Sequence, residues 1–436
     1  MNFEFYYVIL YHMNKAKKIV LENGLRIIFA PTKSLAATVL FLVEAGSEYE
    51  TKNINGLSHF LEHMCFKGTK NRPNPGTIAR ELDSLGAEYN AFTSQEYTGY
   101  WAKAQKEKIN DLIDIVSDLY LNPIFDPNEI NKEKGVIIEE INMYEDIPMR
   151  KVADLFLNLL YGDQPAGWDI AGTKEIIQKL KREDFIKYRE KHYTPSKTIV
   201  VVSGDLNFNS VIPKIKKIFN SLPLKKKILK PKTIWSQTKP QIKIKFKESD
   251  QDHLILGVHA FSINHPKKYA LQVLSNILGE GMSSRLFTRI REELGAAYYI
   301  KSGVDLFLDH GYLAVACGSK QTETLKVIKT ILEEFNKLKK ELPHKDEIEK
   351  SKNHLIGNFI LSLETSDELA SFYGAQEILT QKITNPKEII NKIKHVKPEE
   401  IKETAQMIFQ NKNLNLAMIG PYKKTDQFKK ILFLNE

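Results

Sequence analysis

The chain has 436 residues, of which 42% are hydrophobic and 27% are charged, and its formal net charge is +9. This composition excludes a disordered chain, and the length allows two or more domains with full-sized cores. A basic balance can point to nucleic acid or to an anionic membrane surface as a partner. Lysine is interspersed with many acidic residues, however, so we interpret most of the charge as solvated surface and predict neither partner.

The cysteine content and the opening of the chain bear on its location. Cys65 and Cys317 are too few for a disulfide framework, and they indicate a reducing compartment. No segment has the length of a membrane span, and the first ten residues carry a glutamate and no basic leader, unlike a signal peptide. We therefore predict a cytoplasmic protein whose translation starts at Met1 or at Met13.

The segment His-Phe-Leu-Glu-His, from His59 to His63, carries the strongest chemical signal. On a helix, at about 100° per residue, His59, Glu62 and His63 share one side, and the apolar residues around them form a stripe on the other. Two neutral imidazoles four residues apart can bind one divalent ion, which is typical of the inverted zinc-protease motif H-x-x-E-H. Glu62 would then be the general base. The alternative is a surface helix with solvated side chains, and a third ligand elsewhere would weigh against it.

A third ligand is predicted on a later helix. An Asp-Pro pair at residues 126–127 is a helix start, and the helix should run to about Tyr144. Glu133 and Glu140 lie within about 20° of each other around this helix, whereas Glu139 points about 120° away. Glu140 is therefore the better ligand. An ordinary acidic helix face is the alternative for this segment taken alone.

These residues and the segments around them resemble the M16 family of zinc metallopeptidases. That family includes pitrilysin, insulin-degrading enzyme and the mitochondrial processing peptidases. The resemblance also includes Met-Cys-Phe-Lys-Gly-Thr at 64–69 and Leu-Gly-Ala-Glu-Tyr-Asn-Ala-Phe-Thr at 85–93, and it covers nearly the whole chain.

The resemblance implies a role for each polar residue of the two helices. His59, His63 and Glu140 would bind one zinc ion per chain. Glu62 would activate a water molecule as the general base, and Glu133 would support the ligands as a neighbouring carboxylate. Such a site hydrolyses peptide bonds, because zinc lowers the pKa of water to about 7 and stabilises the oxyanion.

A second set of residues lies in the other half of the chain. A predicted helix runs from Gly281 to Gly295, with Arg291 inside it, and Tyr298 follows in an extended stretch. In the M16 family a similar Arg-x6-Tyr pair helps to bind substrate and to stabilise the transition state, which implies this role for Arg291 and Tyr298. An arginine near a helix end followed by a tyrosine on a strand is also a common, purely structural arrangement.

The resemblance also implies an assembly. Family members of this length work as dimers that enclose the substrate. We expect a homodimer in which the second module of one protomer faces the metal of the other, and a heterodimer is the alternative.

Residues 88–94 form an alternating stretch that predicts a strand near the metal. An edge strand there could bind an extended peptide by β-addition. In the family the corresponding edge strand holds substrate, which implicates Asn90, Ala91 and Phe92. An interior strand of a mixed sheet is the alternative.

The chain is predicted to contain two homologous modules of α+β class, each a mixed, mostly antiparallel sheet packed with helices. The zinc-binding catalytic module spans 15–221, and 222–240 is a linker rich in Lys and Pro. The second module spans 241–436, lacks H-x-x-E-H and should form a wall of the substrate chamber. A repeat of about 210 residues supports the duplication, because 85–89 resembles 294–298.

The sequence therefore predicts a zinc-dependent endopeptidase or oligopeptidase that acts on peptides or unfolded polypeptides. The main alternative is a noncatalytic assembly subunit with the same fold. The presence of His59, Glu62, His63 and Glu140 argues against it, because a scaffold has no need of all four. A third hypothesis is a basic nucleic-acid-binding protein, but the sequence has no recognisable nucleic-acid-binding module. Such a protein would bind nucleic acid with a steep dependence on salt.

Overall fold

A computed structural model of the chain describes residues 16–435. The two possible start sites, Met1 and Met13, and the predicted module start at residue 15 lie outside the described residues. The contacts divide the chain into two units. The first unit comprises the chain up to Ile141 with Asp169–Pro231 and Ile360–Lys387, and the second comprises Asn142–Trp168, Lys232–Phe359 and the chain from Glu388 onward.

This division differs from the contiguous modules predicted at 15–221 and 241–436. The segments 142–168 and 360–387 each carry a helix that packs on a sheet built mainly from the other half of the sequence. An amphipathic pattern shows that a helix has an apolar face, but it does not show which sheet covers that face. The predicted linker, 222–240, is divided between the two units after Pro231.

Eleven strands of the described chain form two sheets, each mixed and mostly antiparallel as predicted. The strands are β1 (Lys17–Val20), β2 (Arg26–Pro31), β3 (Ala36–Val43), β4 (Glu88–Thr93), β5 (Thr98–Gln105), β6 (Thr198–Gly204), β7 (Gln241–Phe246), β8 (Gln251–His259), β9 (Ala297–Leu306), β10 (Gly311–Lys320) and β11 (Leu414–Gly420). The first sheet has the order β1-β2-β6-β3-β5-β4 and the second has the order β7-β11-β8-β10-β9. Within each sheet one pair is parallel, β2 with β6 and β7 with β11. The second sheet thus repeats the order and directions of the last five strands of the first, which supports the predicted duplication.

Helices cover both sheets. They are α1 (Leu57–Cys65), α2 (Thr77–Ser84), α3 (Ile109–Leu121), α4 (Pro127–Asp146), α5 (Pro148–Tyr161), α6 (Lys174–Lys179), α7 (Arg182–His192), α8 (Phe208–Phe219), α9 (Lys268–Gly279), a π-helical segment (Phe287–Glu293), α10 (Thr324–Lys340), α11 (Lys345–Leu361), α12 (Ser366–Thr380), α13 (Pro386–Lys394), α14 (Pro398–Ile408) and α15 (Asp426–Lys429). Among the residues from 16 to 435, no helix is both long enough and apolar enough to cross a membrane.

The two exchanged helices lie close to their sheets because glycine stands at each contact. In the first unit, a Cβ atom at Gly374 of α12 would lie 2.5 Å from a methyl carbon of Leu42. In the second unit, a Cβ atom at Gly257 of β8 would lie 2.6 Å from the ring of Phe156 on α5. A larger residue would push the helix away and expose apolar surface that α5 and α12 now bury.

Candidate metal centre

Helix α1 has an apolar face that packs in the core and an opposite face that carries His59, Glu62 and His63, as predicted. Its apolar residues are buried in the core of the first unit, while the side chains of His59 and His63 retain 13% and 22% of their exposure. The helix begins after Gly56, which has a φ of 95° and whose Cβ would lie 2.5 Å from the carbonyl oxygen of Ala171. Glycine is required there, both for the left-handed backbone and for the close approach.

The carboxylate of Glu50 caps the N-terminus of α1. One oxygen accepts a hydrogen bond from the N–H of Ser58 at 2.6 Å, and the other accepts from the N–H of Gly56 at 2.8 Å and from the Asn55 amide at 3.0 Å. Glu50 is 1% exposed. Burial raises the pKa of Glu50 to about 7, although these hydrogen bonds favour the ionised form. Sequence analysis missed this residue, because a cap supplied by the preceding loop leaves no periodic signal.

We expect Glu50→Gln to remove part of the pH dependence of folding stability. The folded-state pKa of about 7 lies above the ordinary value of 4.5, so the folded protein holds more proton than the unfolded chain between these values. The stability that this group contributes is therefore present below pH 4.5 and is lost as the pH rises through 7. The full shift corresponds to roughly 3 kcal/mol. The free energy of unfolding is measured with urea on metal-free protein at pH 5 and pH 8. Between these pH values it should fall less in the variant than in wild type or in the exposed-site control Glu107→Gln. Equal losses in all three proteins would contradict the prediction.

Helix α4 brings Glu140 to the two imidazoles of α1. The Nε2 atoms of His59 and His63 are 3.2 Å apart, and Oε2 of Glu140 lies 3.7 Å from each of them. These three residues form a group whose ligand atoms could hold one metal ion. Glu139, the neighbour that helical phase argued against, is exposed and does not belong to the group.

The spacing of the three ligand atoms fits a tetrahedral zinc site. Ligand atoms about 2.0–2.2 Å from a tetrahedral ion lie about 3.3–3.6 Å from one another. The observed separations of 3.2 and 3.7 Å fall on either side of that range. Two imidazole nitrogens and one carboxylate oxygen are also donors that suit zinc, and three protein ligands leave one position for water or substrate.

Glu133 supports His63 from the side opposite the ligand atoms. Its Oε1 lies 3.0 Å from Nδ1 of His63, and its Oε2 lies 2.7 Å from Nζ of Lys67. Donation of the Nδ1 proton to Glu133 leaves the Nε2 lone pair for a metal. Burial disfavours the charged forms of both His63 and Glu133. Their hydrogen bond and the nearby carboxylates nevertheless raise the pKa of His63. The bonds from His63 and Lys67 outweigh burial and lower the pKa of Glu133. Sequence analysis gave Lys67 no role.

Glu62 lies on the same helix face, and strand β4 holds its carboxylate in place. The Oγ1 atom of Thr93 donates a hydrogen bond to Oε2 of Glu62 at 2.6 Å, and Glu62 is 9% exposed. Burial raises the pKa of Glu62 against the opposing effects of Thr93 and His63, and the charge of Glu140 adds to the rise. A buried carboxylate whose pKa is raised is suited to take up a proton and to return it.

Among residues 16–435, strand β4 is the last strand on its side of the first sheet, so in this part of the chain the interior-strand alternative is wrong. The register of the β4–β5 hairpin directs the N–H and C=O of Ala91 away from β5, toward the open edge. The N–H of Ala91 donates to the side-chain oxygen of Asn90 at 2.8 Å. The ring of Phe92 packs over Gly99 of β5, where a Cβ atom would lie 2.4 Å from it. Within the described chain, Asn90, Ala91 and Phe92 thus lie on an edge strand, and the side chain of Asn90 caps the outward N–H of Ala91.

Arg291 and Tyr298 come together in the second unit. Arg291 lies in the π-helical segment, where the sequence predicted a longer regular helix, and Gly295 ends this segment with a φ of 56°. Tyr298 is the second residue of β9 and is 75% exposed. Both side chains line one open cavity of about 410 Å³. π-Helical turns are frequent at functional sites.

Comparison with known proteins gives consistent results for sequence and fold. Residues 27–174 match the family model described as Insulinase (Peptidase family M16), and residues 179–355 match the model described as Peptidase M16 inactive domain. An uncharacterized zinc protease of Bacillus subtilis is 35% identical over 93% of this chain and 98% of its own length. An uncharacterized zinc protease of Streptomyces coelicolor is 30% identical over 93% of this chain and 90% of its own length. The crystal structure of a protease from Helicobacter pylori superimposes with a TM-score of 0.87 at 25% identity, over 94% of this chain and 100% of that one. This chain therefore belongs to the M16 family of peptidases.

Proposed function

We propose that this chain is a zinc-dependent endopeptidase or oligopeptidase that uses Glu62 as its general base. The observation that carries the proposal is the spacing of His59, His63 and Glu140, which fits one zinc ion, with a buried carboxylate on the same helix face. The names of the relatives from Bacillus and Streptomyces, which call them zinc proteases, support the same reaction.

The side chains of the first unit have separate tasks in this reaction. His59, His63 and Glu140 would hold the ion, which when bound supplies Lewis-acid activation of water and of the scissile carbonyl. Glu62 takes a proton from the attacking water and hands it to the leaving amine. Thr93 occupies Oε2 of Glu62 and so leaves Oε1 for the water.

The substrate is proposed to bind as an extended strand at the edge formed by β4. The outward C=O of Ala91 would accept from the peptide main chain, and its N–H would donate to the peptide once the side chain of Asn90 releases it. Phe92 follows on the same strand. Main-chain pairing depends little on the side chains of the substrate, which suits an enzyme that acts on peptides or unfolded polypeptides. Folded proteins would be poor substrates because their strands are already paired.

Removal of metal should abolish peptide hydrolysis. Dialysis against a chelator should yield an inactive protein, and about one equivalent of zinc per chain should restore its activity, because the group of His59, His63 and Glu140 beside Glu62 can hold one ion. Zinc content is measured by elemental analysis, and hydrolysis is measured with an internally quenched peptide. Full activity of protein shown to be free of metal would contradict the proposal.

We further propose that the active assembly is a homodimer in which Arg291 of one protomer serves the metal centre of the other. Mixing inactive Glu62→Gln chains with inactive Arg291→Ala chains should then restore up to about a quarter of wild-type activity. Half of randomly mixed dimers contain both chains, and one of their two sites is intact. Two affinity tags verify that mixed dimers form. If mixed dimers form without any recovery of activity, the pair does not act across protomers.

A further inference from the structure

We propose that the open cavity beside Arg291 and Tyr298 is a carboxylate-binding pocket for the substrate. The carboxylate would be the C-terminus of a peptide or the side chain of an acidic residue. This inference rests on the proposed peptidase function and adds a substrate class to it. Arg291 and Tyr298 were already implicated, whereas the part played by Lys320 and Gln251 and the chemistry of the ligand are new.

Four separate elements of the second unit supply the polar side chains of the pocket. Arg291 comes from the π-helical segment and Tyr298 from β9, while Lys320 ends β10 and Gln251 begins β8. Together they offer a guanidinium, an ammonium, a phenol and a carboxamide, and each of these groups can donate hydrogen bonds to a carboxylate. The guanidinium matches a carboxylate best, because its two parallel N–H groups can bind both oxygens.

The two cations of the pocket have no carboxylate partner among residues 16–435. No carboxylate oxygen lies within 4.0 Å of the side-chain nitrogens of Arg291 or Lys320 in that part of the chain. The neighbouring arginines on the same stretch differ, since Arg285 is paired with Glu347 at 2.7 Å and Arg289 with Glu333 at 2.8 Å. Two unpaired cations beside one cavity repel each other, and an anionic ligand would relieve that repulsion.

The backbone around the pocket leaves room for a ligand and fixes its walls. Gly295 and Gly318 add no side chains to the lining, and the cavity volume of about 410 Å³ falls within the range of small-ligand sites. The β9–β10 register shifts between Gly318 and Ser319, one residue before Lys320. Such a bulge re-aims the side chains that follow it. The guanidinium of Arg291 also lies 5.0 Å from the ring centre of Phe287, a cation–π contact that restrains it.

The pocket is open, so water and salt screen its charges. We therefore expect a moderate preference for peptides that carry a carboxylate. Binding is measured by isothermal titration calorimetry with full-length Glu62→Gln protein, which separates binding from hydrolysis. The probes are N-acetylated heptapeptides of alanine and serine that end in a free carboxylate, in an amide, or in an amide after one internal glutamate. The free acid should bind about tenfold more tightly than the plain amide, and this ratio should fall in 0.5 M salt.

Variants of the two cations test whether the pocket causes this preference. Lys320→Met and Arg291→Met should each reduce the acid-to-amide ratio to about two or less, whereas Lys320→Arg should retain most of it. Lys412→Met removes an exposed positive charge elsewhere in the second unit and should leave the ratio unchanged. If the internal-glutamate amide binds about as tightly as the free acid, acidic side chains are ligands of the pocket. If it binds no better than the plain amide, the ligand is the C-terminal carboxylate.

Several results would overturn the inference. They are equal binding of acid and amide, no measurable binding of any probe, or a preference that survives both methionine variants. Hydrolysis by wild-type protein is scored separately with the quenched peptide. Hydrolysis without a carboxylate preference would refute the pocket alone, whereas a carboxylate preference without hydrolysis would count against the peptidase proposal.

Discussion

Replacing Glu62 by Gln should lower kcat for peptide hydrolysis by about 10²–10⁴-fold while zinc stays bound at one ion per chain. The amide has the shape of the carboxylate, and its oxygen can still accept the hydrogen bond that Thr93 donates to Glu62. What it loses is the ability to take up a proton at neutral pH. The proposed zinc ligands His59, His63 and Glu140 are unchanged, so metal affinity should be nearly unchanged as well.

The measurement needs zinc content and kinetics on the same preparations. Elemental analysis gives the zinc-to-chain ratio, and cleavage of a quenched peptide gives kcat and KM separately. The variant Glu107→Gln removes an exposed carboxylate from the same unit and should behave like wild type in both assays. A Glu62→Gln protein with wild-type kcat would exclude Glu62 as the base. Joint loss of zinc and activity would indicate instead that Glu62 maintains the metal site.

Periodicity predicted α1 and α4, the two helices that hold the candidate metal ligands. The Asp-Pro start of α4 is confirmed, since Asp126 Oδ1 accepts hydrogen bonds from the N–H groups of Asn128 at 2.8 Å and Glu129 at 3.1 Å. Helical phase then decided between Glu140 and Glu139, because a helix repeats every 3.6 residues whatever surrounds it. Both predictions depend on local geometry within one element, and the structure has the predicted helix start and places Glu140, rather than Glu139, beside the two imidazoles.

The interactions that hold those elements in place could not be predicted in the same way. Glu50 caps α1 from a loop, Lys67 reaches Glu133 on another helix, and Thr93 reaches Glu62 from the sheet edge. Each contact joins elements whose mutual position depends on the whole fold. The exchange of α5 and α12 between the sheets has the same origin, since an apolar helix face does not reveal in the sequence which sheet will cover it.

The second large effect is expected at Glu140. Glu140→Gln should weaken zinc binding by more than 100-fold, because it removes the anionic member of the ligand set. Loss of an outer-shell partner alone typically costs 10–100-fold. Glu139→Gln, at the adjacent position of α4, removes the same charge from an exposed side chain and should retain zinc and activity. Comparison of these two variants therefore separates coordination by Glu140 from a general effect of negative charge on this helix.

Competition with a chromophoric zinc chelator gives the dissociation constants of both variants and of wild type. Unfolding in urea with the metal removed serves as the folding control, and the three metal-free proteins should agree closely because Glu140 is only partly buried. Added zinc should then stabilise wild type and Glu139→Gln but not Glu140→Gln, because a ligand that binds only the folded state shifts the unfolding equilibrium. If Glu140→Gln bound zinc as tightly as wild type, the third ligand would have to be another residue, and the 3.7 Å approach of Glu140 to both imidazoles would be a contact without coordination. Equal losses in the two variants would instead mean that α4 contributes a diffuse negative potential, and its helical phase would then carry no information about the metal.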